Sequence, residues 1–305
     1  MIRATGFIHS ICLAGCLATA VSCDNTPGPL FPTLDLSLAS QLGAKQDFFE
    51  GEPVYVAFSL SNHGSDTIWT RPFSFVIEWY VDGELTDSVG KPLYKFGGIA
   101  SYFFPPSYRG EPLAPGRRRY QVWMVQDRWG LYRTDMVNTY GGHYLPPGRY
   151  TLRMHFPFDL PQRRVPRILY ADPITFRVHA RTATEEQSFQ RLQDLMALAF
   201  SRDTVQRAAF GDSLMANVQS RSADDPIVPL LITGWGWAVG YWRDSLKLDE
   251  LLNASSAAAR AQRATAAGAY AVIGVNELRP AAIPGLAREL AGSLAGDVAA
   301  SLINH

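Results

Sequence analysis

Cysteine is missing from nearly the whole chain: Cys12, Cys16 and Cys23 are the only three, and all fall within the first 23 of 305 residues. Nothing after Cys23 can therefore form a disulfide, hold a metal through a thiolate or act as a thiol nucleophile. An excess of one charge is missing too, with 28 basic residues against 28 acidic ones. Such a balance leaves no basic footprint for nucleic acid. The one tight basic run, Arg117-Arg118-Arg119, follows a turn and reads as the solvated start of a strand. His63, His143, His155 and His179 show no pairing at helical or ribbon spacing, so a zinc site has no support. The nucleophile-elbow string Gly-x-Ser-x-Gly does not occur. The pattern therefore names no catalytic residue, no metal and no cofactor.

Hydrophobic residues make up 47% and charged residues 18% of the chain, enough for a sizeable core and unlike a disordered polymer. At this length about two domains are expected.

The first 22 residues have the form of a secretory leader: Arg3 is the only charge before Asp24, and a weakly apolar stretch ends in small residues. It is too short and impure for a spanning helix, which needs about 20 mostly apolar residues. Leu13-Ala14-Gly15-Cys16 and, more loosely, Ala20-Val21-Ser22-Cys23 resemble the bacterial lipobox. That resemblance implies a diacylglycerol on the cysteine sulfur and cleavage just before it. Cys23 is the favoured attachment site because Asp24-Asn25-Thr26-Pro27-Gly28-Pro29 after it is a polar tether, whereas the chain stays apolar from Leu17 to Val21 after Cys16. Cys16 is the alternative. The expectation is a lipid-anchored body outside the cytoplasm, with residues 23–32 as the tether.

Residues 33–181 read as short strands. Apolar residues alternate in Leu34-Leu36-Leu38, Val54-Val56-Phe58-Leu60, Phe75-Ile77-Trp79, Tyr120-Val122-Met124, Tyr150-Leu152-Met154 and Ile174-Phe176-Val178. Turn clusters such as Asn62-His63-Gly64-Ser65 and Pro146-Pro147-Gly148 separate them, arguing for an antiparallel β-sandwich. Tyr150, just past its turn, is placed to cover the core with its ring and bond backbone with its hydroxyl, as in a tyrosine corner. Glu50-Gly51-Glu52-Pro53-Val54 leading to Leu60-Ser61-Asn62, then Leu113-Ala114-Pro115-Gly116, then Leu145 to Tyr150, resemble the bacterial immunoglobulin-like sandwiches that include intracellular proteinase inhibitors of the BsuPI type. The resemblance covers about half the chain. It implies the fold and not the inhibition, since a shared sandwich carries many activities.

From residue 182 to 305 the period is helical. Thr182-Ala183-Thr184-Glu185 is a capping box, followed by Phe189, Leu192, Leu195, Met196 and Ala199 on one face. Further helices are predicted over 203–220, from Asp225-Pro226 onward, over 246–252, over 257–275 and over 284–303, as helical hairpins with no fixed repeat. Gly292 and Gly296 are placed in the last of these as packing positions.

Two segments suggest recognition. The aromatic stretch from Tyr94 to Tyr108, with Tyr102 and Phe103 at its centre, is either a binding loop or a loop folded over the sandwich edge. Thr233-Gly234-Trp235-Gly236-Trp237 through Trp242 looks like a glycine-rich nucleotide loop, but Trp235 and Trp237 would crowd a pyrophosphate, so a packed helix is expected. If exposed, Trp235 and Trp242 would offer an aromatic surface. The chain thus reads as multidomain, β then α: a membrane-anchored, non-enzymatic binding or assembly module for another envelope protein, binding neither nucleic acid nor nucleotide. The alternatives are a proteinase-inhibitor-like or carbohydrate-binding sandwich acting through the Tyr94–Tyr108 loop, and a hydrolase whose site, including His143, assembles in space.

Overall fold

The chain is β in its N-terminal half and α in its C-terminal half. The computed structural model describes residues 36–70, 82–93, 111–127, 131–132, 143–158, 167–199, 204–235 and 245–303. The strands are β1 (Leu36–Gln41), β2 (Asp47–Phe49), β3 (Tyr55–Asn62), β4 (Ile68–Thr70), β5 (Asp82–Thr86), β6 (Glu111–Leu113), β7 (Arg118–Met124), β8 (Leu131–Tyr132), β9 (His143–Tyr144), β10 (Gly148–Phe158), β11 (Arg167–Tyr170) and β12 (Ile174–His179). The helices are α1 (Ala183–Ala199), α2 (Thr204–Ser220), α3 (Ile227–Leu230), α4 (Ser245–Ala261), α5 (Ala266–Leu278), α6 (Ile283–Glu289) and α7 (Leu294–Ile303). Asp35–His305 form one compact unit. Among the described residues, no helix is long and apolar enough to cross a membrane.

The first sheet is β1-β3-β7, antiparallel throughout. Every residue of β3 is buried, although its sequence promises only one apolar face. The second face is covered by the helices: Tyr55 and Ala57, with Tyr120, Val122 and Met124 of β7, belong to the same core cluster as Phe189, Phe210, Leu251, Val272 and Val298. Tyr55 stacks at 4.6 Å on Tyr270 and donates its hydroxyl to the carbonyl of Pro226 at 3.1 Å. Alternation in β7 likewise turns Arg119 inward: it is 6% exposed and donates to the carbonyl of Pro112 at 2.7 Å. The expectation that all three arginines of this run are solvated fails there.

The second sheet is built on β10. β5 pairs with its residues 151–155, β12 with 148–152 and β11 with 155–158. Because β5 overlaps both of the others, it takes one edge of β10 while β11 and β12 follow one another along the opposite edge, one residue out of register across Ala171-Asp172-Pro173. β2 adds in parallel beyond β12. Leu152, Met154 and Phe156 are fully buried on one face, whereas Arg149 and Arg153, of the opposite phase, are exposed. The tyrosine corner forms: Tyr150 donates to the carbonyl of Pro146 at 2.6 Å and stacks on Phe176 at 5.5 Å.

At the head of the helical half the capping box is complete. Glu185 accepts from the backbone N–H of Thr182 at 2.7 Å, and the Thr182 hydroxyl accepts from that of Glu185 at 3.4 Å. Asp225 accepts from the N–H of Ile227 at 2.9 Å ahead of α3. Three predicted boundaries move. The stretch from Ser245 to Ala261 is one helix, since nothing in Asn253-Ala254-Ser255 breaks it and the Ser255 hydroxyl donates to Ala271 at 2.8 Å instead of competing locally. The predicted 257–275 helix is interrupted because Thr265 recaps the chain, accepting from Gly268 at 3.3 Å. Gly292 and Gly296 do not share a helix: α6 ends at Glu289, Gly292 takes a φ of +80° in the turn, and the Ser293 hydroxyl accepts from Gly296 at 3.2 Å ahead of α7. Gly296 is nonetheless a close-packing position, where a Cβ would stand 2.0 Å from the Leu290 carbonyl oxygen, while Gly292 has open space; Gly274 of α5 is another, with a Cβ 2.4 Å from the Thr233 methyl.

Candidate functional site: the open face of the second sheet

Period two along β10 and β12 sends one set of side chains into the core and the other outward. Outward lie Arg149, Thr151, Arg153 and His155 of β10, Thr175, Arg177 and His179 of β12, and Tyr170 of β11, which opposes His155 in register. Tyr170 is 71% exposed and Ile168, at the far end of the same strand, 47% exposed. Arg149 stands directly opposite Arg177, and Arg177 opposite Asp47 of β2; Arg153 stands opposite Glu84 of β5. The face therefore alternates in sign, apart from the arginine pair.

That pair opens on a cleft of about 360 Å³ lined by Ser88, Pro147, Gly148, Arg149, Arg177, Val178, His179 and Ala180. The Pro146-Pro147-Gly148 turn forms one wall, and the end of β12 the other. His179 sits at the rim, its Nδ1 donating to the carbonyl of Ala180 at 2.9 Å and its Nε2 lying 3.9 Å from Glu185. The ring is thereby tied to the first turn of α1.

A second cleft, of about 170 Å³, lies where β2 and β3 meet the α4–α5 turn, lined by residues including Lys45, Phe48, Glu52, Tyr55 and Gln262. Glu52 is 1% exposed, and burial lifts its pKa above the usual carboxylate range against the pull of Lys45. A buried carboxyl in a cleft is a candidate acid or base, but both oxygens here are used: one by the Lys45 ammonium, the other by the N–H of Phe49 at 3.0 Å. Gln126 closes the same turn, accepting from Val54 at 3.0 Å and donating to the Glu52 carbonyl at 2.5 Å. Gln262 donates to the carbonyls of Ala223 and Asp225, at 3.0 and 3.2 Å. The second cleft is a structural seam.

The other shifted groups also serve the fold. The Tyr150 hydroxyl is pushed up to about 12 by burial, with Asp87 and other acidic neighbours adding to it. Burial raises Tyr120 too, whose hydroxyl accepts from Arg118 at 3.0 Å and donates to Asp297 at 3.2 Å, joining β7 to α7. Burial alone would raise Glu185, but the two hydrogen bonds from Thr182, with His179 and Lys45 nearby, together hold the pKa below the usual carboxylate value. Among the described residues, no group of three or more His, Cys, Asp or Glu residues could hold a metal ion.

Of the residues singled out from sequence, Cys16, Cys23, Tyr94, Tyr102, Phe103, Tyr108 and Trp242 lie outside the described residues. Trp235 closes a π-helical turn, Leu231–Trp235, and its side chain is likewise outside them, as is that of His143 in β9. His63 is exposed in its turn, with Nε2 2.7 Å from the Ser37 hydroxyl. Arg149 and Arg177 were not visible as a pair. Arg-Tyr-Thr-Leu-Arg-Met-His and Thr-Phe-Arg-Val-His each carry the outward polar period, but only the register sets the two arginines side by side. Comparison with protein-family models finds no match, and comparison with curated proteins finds none either.

Proposed function

We propose that this chain is a membrane-anchored, extracytoplasmic, non-enzymatic binding module, in which an immunoglobulin-like sandwich and a helical layer present the open face of the second sheet to another envelope protein. The leader and the Cys23 lipobox supply the anchor, with Cys16 as the alternative. One observation carries the binding role: the outer face of β10 and β12 is exposed and holds a concave site with two arginines that nothing in the described fold engages. Among the described residues, the shifted groups Glu52, Tyr120, Tyr150 and Glu185 each spend their polar atoms on the fold. Two measurements test the reading. Mass spectrometry of the mature N-terminus is expected to find a diacylated Cys23; an unmodified cysteine, or an uncleaved leader, would remove the anchor. A pull-down from intact membranes is expected to recover a specific envelope protein with the native chain and not with Arg149→Glu/Arg177→Glu; equal recovery would remove the face.

A further inference from the structure

Building on that binding role, we propose that Arg149 and Arg177 form a two-pronged carboxylate clamp for an extended acidic segment of the partner protein, one with Asp or Glu at alternate positions. The two arginines are directly opposed on antiparallel neighbours, which sets their Cβ atoms about 4.5–5.5 Å apart and makes like charges repel. A fold normally relieves such a pair with an internal acceptor. Arg118, Arg119, Arg181, Arg221, Arg260 and Arg279 donate to side chains or carbonyls, whereas Arg117, Arg153, Arg191 and Arg263, unengaged among the described residues, are not set opposite another arginine in the strand registers. Arg149 and Arg177 make no side-chain hydrogen bond or ion pair among the described residues, and both line the cleft beside the Pro146-Pro147-Gly148 turn. Two unengaged guanidinium forks side by side are built for bidentate carboxylates.

The surroundings choose the partner. Asp47 stands opposite Arg177 and Glu84 opposite Arg153, so the positive charge is confined to the arginine pair and matches a few spaced carboxylates better than a continuous polyphosphate or an anionic membrane. An extended peptide places alternate side chains about 6.6–6.8 Å apart, a spacing that two splayed forks span. From Arg149 to His155 the row runs six residues, about 20 Å, and ends at the exposed ring of Tyr170 and the exposed Ile168. Apolar side chains of the same segment can pack there, which suits a protein and not a polyanion.

The test uses the full chain purified in detergent, a fluorescent Glu-Thr-Glu-Thr-Glu-Thr peptide, its Gln-for-Glu counterpart, and vesicles containing phosphatidylglycerol. Fluorescence anisotropy should show saturable binding of the acidic peptide, weakened by salt and about tenfold or more tighter than the Gln peptide. Arg149→Gln/Arg177→Gln should lose that preference, and Arg149→Lys/Arg177→Lys, which keeps charge but not the fork, should fall between. Both positions are exposed, and an unchanged circular-dichroism melt checks that each variant folds. Equal affinity for the two peptides, unchanged binding by the Gln variant, or arginine-dependent binding to the vesicles instead would overturn the clamp. If the clamp fails while the native chain still recovers a partner that the Glu variant does not, the binding role stands and only the ligand class is wrong.

Discussion

Replacing Tyr150 with Phe keeps the ring on Phe176 and removes only the hydroxyl that donates to the Pro146 carbonyl at 2.6 Å. At pH 7 the loss of that one bond, with a half-buried carbonyl that water can still reach, should cost about 1 kcal/mol. Alkaline pH magnifies the difference. The folded protein raises the Tyr150 pKa from 10.0 to about 12, chiefly by burial, so it holds the phenol proton more tightly than the unfolded chain does. The sign follows: stability tied to neutral Tyr150 is fully present below pH 10 and lost as pH climbs from 10 towards 12. Two units at about 1.4 kcal/mol each make that loss on the order of 3 kcal/mol. Urea unfolding followed by far-ultraviolet circular dichroism, at intervals from pH 7 to 12, reads both effects. The remaining tyrosines titrate in both proteins, so the difference between the two curves isolates Tyr150. Tyr150→Phe should start less stable and then fall less steeply above pH 10, the curves converging or crossing. Parallel curves over that range would refute the account of the corner.

Four further outcomes are expected. Gly51→Ala should destabilise by about 2 kcal/mol or more in chemical denaturation, because Gly51 has a φ of +90° and a Cβ there would stand 2.5 Å from the Phe189 ring. Lys45→Met strips Glu52 of its counter-ion and should cost about 2–4 kcal/mol at pH 7. Since Glu52 is shifted upward by burial, the deprotonated form is the unfavourable one in the fold, and the deficit should shrink as pH falls towards 4.5, a trend visible in melting temperature against pH. Tyr120→Phe removes the hydroxyl linking Arg118 to Asp297 and should cost about 1–2 kcal/mol, with faster amide exchange in α7. Thr182→Ala removes the hydroxyl half of the capping box and leaves the backbone N–H bond to Glu185; it should cost about 1 kcal/mol, seen as a melting-temperature drop that Thr182→Ser restores.

What could be read in advance was local. The capping box at Thr182, the Asp225-Pro226 start and the Tyr150 corner each depend on residues within five positions, and each appears as expected. What stayed hidden was set by partners far along the chain. Tyr-Val-Ala-Phe-Ser-Leu-Ser-Asn alternates like a strand with one wet face, yet all of β3 is buried, because Tyr55 and Ala57 meet helices more than a hundred residues later. Arg119 is hydrophilic by composition and buried by phase. Gly292 and Gly296 have helical spacing, but the Ser293 cap between them turns the chain. The pairing of Arg149 with Arg177 depends on register, which no single segment encodes.

On the proposed function, the open face of the second sheet contacts an envelope protein while the chain is anchored. A photo-crosslinking amino acid at Thr151, between the rows of Arg149 and Arg153, should yield one discrete adduct with a partner in intact cells, whereas the same group at exposed Glu289 on α6 should yield none. The adduct should disappear on adding Arg149→Glu/Arg177→Glu. No adduct at Thr151, or the same adducts from both positions, would contradict the proposed contact.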